Sequence, residues 1–367
     1  MNSTNVRVRK KIIHVVQHLE PGGIENLTLE LLRLAHPDDQ LLIVSLEGNK
    51  DEAMNRWPRL KEHQDKMVFL EKPPGIQFGL ILTLVKAFKG VRPDVVHTHH
   101  IGPLMYAGYA AKLAGVPVRI HTEHDAWHLD NAKEKRLQAL LLKAAKPTIV
   151  ADAKHVKEQL DNHFRYSRTI VIKNGIDCQK FRPGSKDLAR QFFDLPQDKL
   201  IVGCAGRLDK VKGHENAIKA MTFLPKESIL VIAGEGAERE RLTQLAHSLK
   251  LEQRVHFLGQ VEQMAHFYQS LDVFCMPSLM EGLPLSLLEA QACNVRVVAT
   301  DVGASSEAVC PNTGHLINTN DIAGTASTLL KVLLKPTQQQ PREFILEHFE
   351  IRKMAQAYHE LALGELA

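Results

Sequence analysis

Two glutamates, Glu281 and Glu289, flank a Gly-Leu-Pro sequence in the second half of the chain. Pro284 can start a helix there, which puts Glu281 at the helix mouth and Glu289 about two turns along. The backbone N–H groups of Gly282 and Leu283 then face the same space, which suits a phosphate oxygen. The spacing predicts a site for a phosphate and for hydroxyl groups. Two unrelated surface glutamates are the alternative.

A glycine-lined strand end in the same half of the chain carries two cations. Gly206 and Arg207 follow a predicted strand, and Lys212 comes shortly before the next predicted helix. Arginine and lysine together can hold a diphosphate without a metal ion. Solvated loop charges are the alternative. The segment 234–236 is a further glycine-lined strand exit.

The first predicted strand also ends in a glycine turn, Gly22-Gly23. Its backbone can approach a ligand closely, and the helix that follows offers free N–H groups and the positive end of its dipole. The segment lacks the G-x-G-x-x-G pattern, so it gives little support for dinucleotide binding. A ligand-binding turn and an ordinary strand–helix turn both stay open.

Histidines are concentrated at two predicted strand ends. Imidazole is a common metal ligand, but the chain has no H-E-x-x-H segment, and Ile101-Gly102 interrupts the H-x-H-x-D-H pattern of a binuclear hydrolase. We therefore predict no metal site and expect at least half of these histidines only to pack or to face solvent. The six residues are His97, His99, His100, His121, His124 and His128.

The hydrophobic pattern predicts the elements that must position these residues. Short β-branched runs alternate with helix-period stretches, which is typical of parallel sheets covered on both faces. Ligands of such sheets bind beyond the carboxyl ends of the strands. The predicted strands are 11–16, 41–45, 67–70, 94–97, 118–122 and 147–151, followed by 199–205, 228–233, 254–258, 272–276 and 296–300.

The alternation starts afresh after residues 171–174, and proline and glycine interrupt the pattern at 181–185. We therefore predict an N-terminal domain over residues 1–182 and a C-terminal domain over residues 183–343, joined by a linker at 181–185. A last helix is predicted over 344–363. Its periodicity does not say which domain it packs on.

Composition limits the class of protein. The chain has 367 residues, of which 44% are hydrophobic and 24% charged, which is ordinary for globular domains. A net charge of +4 is too small to indicate a nucleic-acid partner. Five cysteines without a C-x-x-C pair predict buried, reduced thiols. No apolar run reaches the roughly 18 residues of a membrane-spanning helix, so we expect a cytoplasmic protein.

Taken together, the motifs resemble those of the retaining glycosyltransferases of family 4. The resemblance covers nearly the whole chain, and the Glu-x7-Glu segment with its Gly-Leu-Pro is its most specific part. It implies an α/β protein of the GT-B fold, with two Rossmann-like doubly wound parallel-sheet domains facing a central cleft. The last helix, about 344–367, would pack back on the first domain. The motifs are 22–25, 174–177 with Phe181, 206–207 with 212–213, 234–236 and 281–289.

The resemblance implies that the C-terminal domain binds a nucleoside-diphosphate sugar as donor. Arg207 and Lys212 would hold the diphosphate, and Glu289 the ribose hydroxyls. Glu281 would contact hydroxyls of the donor sugar. Further contacts of the donor site would come from Gly206, Gly282 and Leu283.

The resemblance also implies that the N-terminal domain binds the acceptor, a saccharide or a lipid-linked saccharide. Gly22 and Gly23 would close on the donor, and His124 would hydrogen-bond a sugar hydroxyl. The reaction would retain the anomeric configuration and need no metal ion or other cofactor, with the leaving phosphate helping to take the acceptor proton. Its expected setting is the synthesis of cell-surface polysaccharide or lipopolysaccharide.

A basic amphipathic helix predicted over residues 133–146 bears on the acceptor. Such a helix can lie on an anionic leaflet, which favours peripheral contact with the inner face of the cytoplasmic membrane. An ordinary half-buried helix with a charged outer face is the alternative. The basic and apolar residues concerned are Lys133, Lys135, Arg136, Lys143 and Lys146 with Leu137, Leu140, Leu141 and Leu142.

Three other functions compete with this interpretation. A nucleotide-sugar 2-epimerase shares the two-domain plan, but its motifs fit less well. A non-catalytic nucleotide-sugar-binding partner would be indicated by loss of Arg207, Lys212 or Glu281, and all three are present. A metal hydrolase built on the histidines ranks last.

Overall fold

The structure is a computed structural model that describes residues 9–164, 166, 168–335 and 339–366. The chain forms two compact units. Unit 1 comprises Met1–Lys173 and Met354–Ala367, and unit 2 comprises Asn174–Lys353. The predicted domain ranges also include residues 1–8, 165, 167, 336–338 and 367, which lie outside the described residues.

Unit 1 contains a sheet of seven strands that pair in parallel. They are β1 (Lys11–Val16), β2 (Gln40–Ser45), β3 (Met67–Phe69), β4 (Val95–His99), β5 (Val118–Glu123), β6 (Thr148–Ala151) and β7 (Thr169–Val171). Their order is β3-β2-β1-β4-β5-β6-β7, so the direction of winding reverses between β1 and β4. In such sheets the reversal opens a crevice at the carboxyl ends of the strands.

Helices connect these strands and cover the sheet. They are α1 (Gly23–Arg33), α2 (Lys50–Arg56), α3 (Phe78–Val91), α4 (Ile101–Pro103), α5 (Tyr109–Ala114), α6 (Ala132–Ala145) and α7 (Lys154–His163). Short 3-10 segments lie at Pro58–Lys66 and Trp127–Asp130, and a π turn at Leu104–Gly108 joins α4 to α5. Strand residues such as Val15, Ile43 and Val96 are completely buried because helices pack on both faces of the sheet.

Unit 2 contains a sheet of six parallel strands. They are β8 (Leu200–Ala205), β9 (Ser228–Ala233), β10 (Val255–Gly259), β11 (Val273–Met276), β12 (Arg296–Thr300) and β13 (His315–Ile317). The order β10-β9-β8-β11-β12-β13 reverses between β8 and β11. All six residues of β9 are buried, as expected of a strand covered on both faces.

The helices of unit 2 alternate with these strands. They are α8 (Lys186–Phe192), α9 (His214–Ala220), α10 (Arg239–Ser248), α11 (Met264–Gln269), α12 (Leu285–Ala292), α13 (Ser305–Ala308), α14 (Ile322–Leu334) and α15 (Pro341–His348). The predicted doubly wound α/β architecture is therefore confirmed. Strands β7 and β13 were not predicted, because each has only three residues, too short a run for a clear hydrophobic pattern.

The predicted single helix over 344–363 is wrong, because two helices occupy that stretch. After α15 the backbone leaves helical geometry at Phe349, and α16 (Ile351–Leu363) then begins. The N–H of Ile176 donates to the carbonyl of Phe349, and the N–H of Ile351 donates to the carbonyl of Ile176. These long-range bonds take the place of helical ones, which interrupts the helix.

The units divide at Lys173/Asn174 and Lys353/Met354, whereas the sequence analysis placed the boundaries at 182/183 and 343/344. The predicted linker at 181–185 belongs to unit 2. Phe181 is buried there, and its ring meets that of Tyr268 edge-on. Arg342 donates to the carbonyls of Phe181 and Cys178, which fixes this segment. In unit 1, Tyr358 of α16 is buried and hydrogen-bonds Thr122.

Two properties expected from composition can be compared with the structure. All five cysteines are buried free thiols, as predicted. Among the helices of the described ranges, none combines the length and the apolar character needed to cross a membrane.

Candidate active site

The cations and carboxylate singled out in unit 2 lie where the strand order reverses. Arg207 and Lys212 follow β8, and Glu281 follows β11, the two strands that neighbour each other at the reversal. Ligands of doubly wound sheets bind at this point, beyond the carboxyl ends of the strands. The fold therefore brings together groups that are far apart in the sequence.

An ion pair joins the two loops. The Lys212 ammonium lies 2.8 Å from one carboxylate oxygen of Glu281 and 3.0 Å from the other. The side chains are 26% and 10% exposed, so the pair is shielded from water yet still reachable by a ligand. Charge-assisted bonds of this kind are stronger than neutral ones, and more so away from water.

Ser278 is a further residue of this site and was not predicted from the sequence. Its buried hydroxyl donates at 2.6 Å to Oε1 of Glu281, the oxygen that also accepts from Lys212 at 2.8 Å, so it helps to fix the carboxylate. Its own carbonyl accepts from the hydroxyl of Thr300, on β12. A serine three positions before the glutamate carries no distinctive sequence signal, so only the fold reveals its role.

Arg207 takes a different position from Lys212. Its side chain is 83% exposed and lies 3.3 Å from the carboxylate of Asp209. Asp209 also accepts from the backbone N–H of Lys212, which caps the short 3-10 turn Lys210–Lys212. The structure thus presents one shielded cation and one exposed cation in place of two equivalent ones.

Backbone donors lie beside the ion pair. The N–H groups of Gly282 and Leu283 donate to no acceptor within the described part of the chain. They precede α12, whose N-cap is Pro284, one residue earlier than the predicted place of proline inside the first turn. Free N–H groups at the positive end of a helix favour an anion.

Glycines allow the loops of this site to approach each other. Gly206 adopts a positive φ beside the aliphatic stem of Lys212. Gly213 has φ +63°, and a Cβ at this position would lie 2.0 Å from the carbonyl oxygen of Pro277. This contact sets the loop of Lys212 against the loop of Glu281, so no larger residue fits at 213 without moving one of them.

Replacing Gly213 by alanine is expected to destabilise unit 2 by roughly 2–4 kcal/mol, because backbone strain and a collision with Pro277 act together. Gly48→Ala is the matched control, since Gly48 has φ +76° and nothing within 4 Å of its Cβ position. The control should lose only about 1–2 kcal/mol from strain. Scanning calorimetry measures both, and equal losses would show that the contact with Pro277 is unimportant.

Glu289 lies on α12 with partners of its own. The buried hydroxyl of Tyr268 donates to its carboxylate at 2.8 Å. Burial raises the pKa of Glu289 to about 7, against the lowering effects of Tyr268 and Lys180. Glu281 and Glu289 therefore have separate environments, and Glu289 titrates near neutral pH. Tyr268 was not foreseen from the sequence.

In unit 1 the turn Gly22-Gly23 begins α1 after β1. A Cβ on Gly22 would lie 2.3 Å from a carboxylate oxygen of Glu25, which folds back over the turn. Glu25 is buried, and burial raises its pKa, while His18 lies 3.6 Å away and opposes that shift. The space above Gly22 is thus filled by a carboxylate of the same turn.

His124 follows β5 in unit 1 and is held between two partners. One ring nitrogen, Nδ1, lies 3.4 Å from the carboxylate of Asp152, and the other, Nε2, lies 3.3 Å from Nδ1 of His99. Burial raises the pKa of Asp152 to about 6, although His124 acts to lower it. Both ring nitrogens of His124 are therefore engaged by partners within unit 1.

The other predicted histidines divide between two networks. His97 and His99 pack with His14, and burial lowers the pKa of all three, so they are neutral at pH 7. Their ring nitrogens lie within 4.8 Å of one another, which the sequence analysis missed because His14 is remote in sequence. A second network joins His121, Glu123, Gln138 and His128. His100 stacks at an angle on His124.

The family models match the two halves of the chain separately. The model described as glycosyltransferase family 4 matches residues 21–180, and that described as glycosyl transferases group 1 matches residues 185–346. Together they cover every strand of the two parallel sheets except β1. The chain is a GT-B glycosyltransferase of the family 4 type.

Relatives of this glycosyltransferase are known from bacteria. The chain is 28% identical over 328 residues to glycosyltransferase EpsF of Bacillus subtilis, covering 82% of this chain and 80% of EpsF. It is 28% identical over 308 residues to an Escherichia coli α-1,3-galactosyltransferase, covering 77% and 78%. It is 32% identical over 259 residues to a D-inositol 3-phosphate glycosyltransferase of Mycolicibacterium smegmatis, covering 65% and 59%.

Solved structures share the fold of this glycosyltransferase. Anabaena HepE superposes with a TM-score of 0.85 at 19% identity, covering 97% of this chain and 100% of HepE. The lipopolysaccharide outer core galactosyltransferase WaaB superposes with a TM-score of 0.74 at 16% identity, covering 97% and 100%. The predicted fold is thereby confirmed.

Proposed function

We propose that this glycosyltransferase moves a sugar from a nucleoside diphosphate to a hydroxyl of a saccharide or lipid-linked saccharide, with retention of anomeric configuration. The observation that carries the proposal is the Lys212–Glu281 pair at the strand reversal of unit 2, beside the free N–H groups of Gly282 and Leu283. These groups complement both parts of such a donor. The cation and N–H groups suit the diphosphate, and the carboxylate suits sugar hydroxyls.

The ion pair gives the site a means of responding to its donor. A diphosphate that approaches Lys212 competes with Glu281 for the ammonium group. Glu281 then has a free carboxylate oxygen for hydroxyls of the sugar, while Ser278 keeps it in place. Binding of the diphosphate and orientation of the sugar are thereby coupled through one residue pair.

Transfer requires stabilisation of the departing diphosphate and of an oxocarbenium-like sugar. Lys212, Gly282 and Leu283 supply preorganised positive charge and N–H donors to the leaving group, and exposed Arg207 can turn towards it. Glu289 accepts hydrogen bonds from the ribose hydroxyls. Gly206 places no side chain between its own backbone and the aliphatic stem of Lys212.

Retention follows in this proposal from attack on the face of the sugar that the diphosphate leaves. The leaving phosphate accepts the acceptor's proton, so no carboxylate nucleophile is needed. Unit 1 binds the acceptor and supplies the turn Gly22-Gly23 and His124, whose Nε2 exchanges His99 for a sugar hydroxyl. The buried Asp152 holds the His124 ring in orientation.

Three relatives support the choice of donor and setting. HepE was solved with UDP and glucose, the Escherichia coli relative is named for UDP-galactose and a diphosphoundecaprenol-linked acceptor, and WaaB is named for the lipopolysaccharide outer core. We extend these features to a setting in cell-surface polysaccharide or lipopolysaccharide synthesis at the inner face of the cytoplasmic membrane.

The proposal is tested by screening UDP-, GDP- and ADP-sugars for a rise in melting temperature, since a ligand of the native state alone must stabilise it. The selected donor is then incubated with saccharide acceptors, and the anomeric proton of the product is followed by NMR. A product of inverted configuration would overturn the retaining mechanism. Conversion of the donor sugar at C2 without an acceptor would instead identify an epimerase.

Transfer is expected to persist at full rate in EDTA. The physical reason is that Lys212, Arg207 and two backbone N–H groups provide the positive charge that a divalent ion supplies in other enzymes. Turnover is measured after dialysis against EDTA and again after addition of Mn²⁺. Loss of turnover in EDTA with recovery in Mn²⁺ would contradict the prediction.

A further inference from the structure

A second group of cations surrounds a cavity in unit 1. The cavity has a volume of about 710 Å³, within the roughly 300–1,000 Å³ of small-ligand sites. Six of its ten lining residues are basic or histidine, and none is acidic. The six are Lys112, Arg119, Lys143, Lys146, His163 and Arg168.

The charges of this cavity are not neutralised from within. The side chains of Lys112, Lys143, Lys146 and Arg168 form no hydrogen bond or ion pair with the described residues. Elsewhere, exposed lysines of the same unit do find carboxylates, as Lys157 does with Asp161. The carbonyls at the end of α6 bring only about half a negative charge. A bound anion would balance the positive charges around the cavity.

Arg119 lines the cavity with a guanidinium group that is held in place by the backbone. Its guanidinium donates to the carbonyls of Val116, Ala145 and Lys146, so its position is fixed. Burial and the nearby charge of Arg168 both lower the pKa of Arg119. A bound anion would relieve this repulsion, since opposite charge favours the protonated guanidinium.

The position of the cavity separates it from the proposed chemistry of unit 1. Arg119 lies at the beginning of β5, whereas His124 follows its end. Five residue steps separate them (124 − 119), which at about 3.3 Å each puts the two positions roughly 16 Å apart. The cavity therefore lies at the amino ends of the strands, opposite to the edge where ligands of such sheets bind.

We propose that this cavity is a binding site for a phosphate-bearing anion, separate from the donor site. Lysine and arginine are the side chains that bind phosphate oxygens. Leu142 and Phe164 give the cavity an apolar floor, and the exposed Leu140 of α6 lies one turn from Lys143. The phosphate can belong to a lipid headgroup or to a soluble compound, because both offer the same oxygens.

The test measures binding by the full chain without donor or acceptor, so its result does not depend on the proposed transfer activity. Inorganic phosphate and glycerol phosphate are titrated by calorimetry at about 150 mM salt. Vesicles of phosphatidylglycerol in phosphatidylcholine are tested by co-sedimentation, with pure phosphatidylcholine vesicles alongside. Binding to anionic vesicles alone identifies the headgroup, and binding of the soluble phosphates identifies a soluble ligand.

The deciding variant is Lys143→Glu with Lys146→Glu, which reverses two exposed charges at the cavity. The control is Lys133→Glu with Lys135→Glu, which changes the net charge equally at the other end of α6 and away from the cavity. The cavity variant is expected to weaken binding about tenfold or more, and the control less than about threefold. Equal losses in the two variants, or no binding of either probe by the unaltered chain, would overturn the proposal.

Discussion

Replacing Lys212 by alanine is expected to lower kcat/KM by roughly 10²–10³-fold, the effect of removing one preorganised donor to a developing oxyanion. The Lys212 side chain is only 26% exposed, and its ammonium group is already held by Glu281. It therefore needs little reorganisation to act on the leaving diphosphate. The variant also leaves Glu281 with Ser278 as its remaining hydrogen-bond donor among the described residues, so orientation of the sugar suffers as well.

Lys210→Ala is the matched control for this variant. Lys210 lies in the same 3-10 turn but is exposed and pairs with no carboxylate of the described residues. It should change kcat/KM by less than about twofold, as expected of a solvated charge. Arg207→Ala should fall between the two because its side chain is 83% exposed. A larger loss from Arg207→Ala than from Lys212→Ala would show that the shielded ion pair is not the principal contact.

Glu289→Gln is expected to impair nucleotide binding, whereas Glu281→Gln is expected to impair turnover. Glu289→Gln should weaken free nucleoside diphosphate roughly 10–100-fold, the loss of charged hydrogen bonds to the ribose. Glu281→Gln should leave that affinity within about threefold or raise it, because Lys212 no longer has a competing carboxylate. Its kcat should instead fall by about 10²-fold. Calorimetry with the nucleoside diphosphate of the selected donor, and steady-state kinetics, measure the two quantities.

The pH dependence of nucleotide affinity should also distinguish the roles of Glu281 and Glu289. Because the pKa of Glu289 lies at about 7 in the free protein, its carboxylate is largely protonated below that pH. Ribose hydroxyls bind the ionised form better, so nucleotide affinity should rise as pH increases through about 7. Glu289→Gln should abolish this rise, and Glu281→Gln should keep it.

Tyr268→Phe provides an independent check on the origin of the pH dependence. The Tyr268 hydroxyl stabilises the ionised carboxylate of Glu289 and so lowers its pKa. Without the hydroxyl, the rise in affinity should move to higher pH. An unchanged profile in Tyr268→Phe, or a rise that survives Glu289→Gln, would assign the titration to another group.

Much of the fold could be predicted from the sequence because its signals are local. Hydrophobic runs such as Ser228–Ala233 are buried on both faces and bounded by polar turns, so their pattern is continuous and legible. The helices after these strands are likewise indicated by a local hydrophobic periodicity. Strands β7 and β13 were not predicted because three residues give too short a pattern.

The break between α15 and α16 and the limits of the units could not be predicted in this way. Both depend on the bond from the N–H of Ile176 to the carbonyl of Phe349, on the bond from the N–H of Ile351 to the carbonyl of Ile176, and on the burial of Phe181 against Tyr268. These contacts join segments far apart in the chain. Local periodicity carries no information about them.

The same division applies to the candidate site. The sequence by itself determined the residue types and the order of the motifs, because Glu281, Gly282 and Leu283 carry their signal within one short segment. Only the tertiary structure decided that Lys212 meets Glu281, that Ser278 supports it, and that Glu289 takes Tyr268 as partner. The reason is physical: strand order places the loops after β8 and β11 side by side, and the contact of Gly213 with Pro277 fixes their separation.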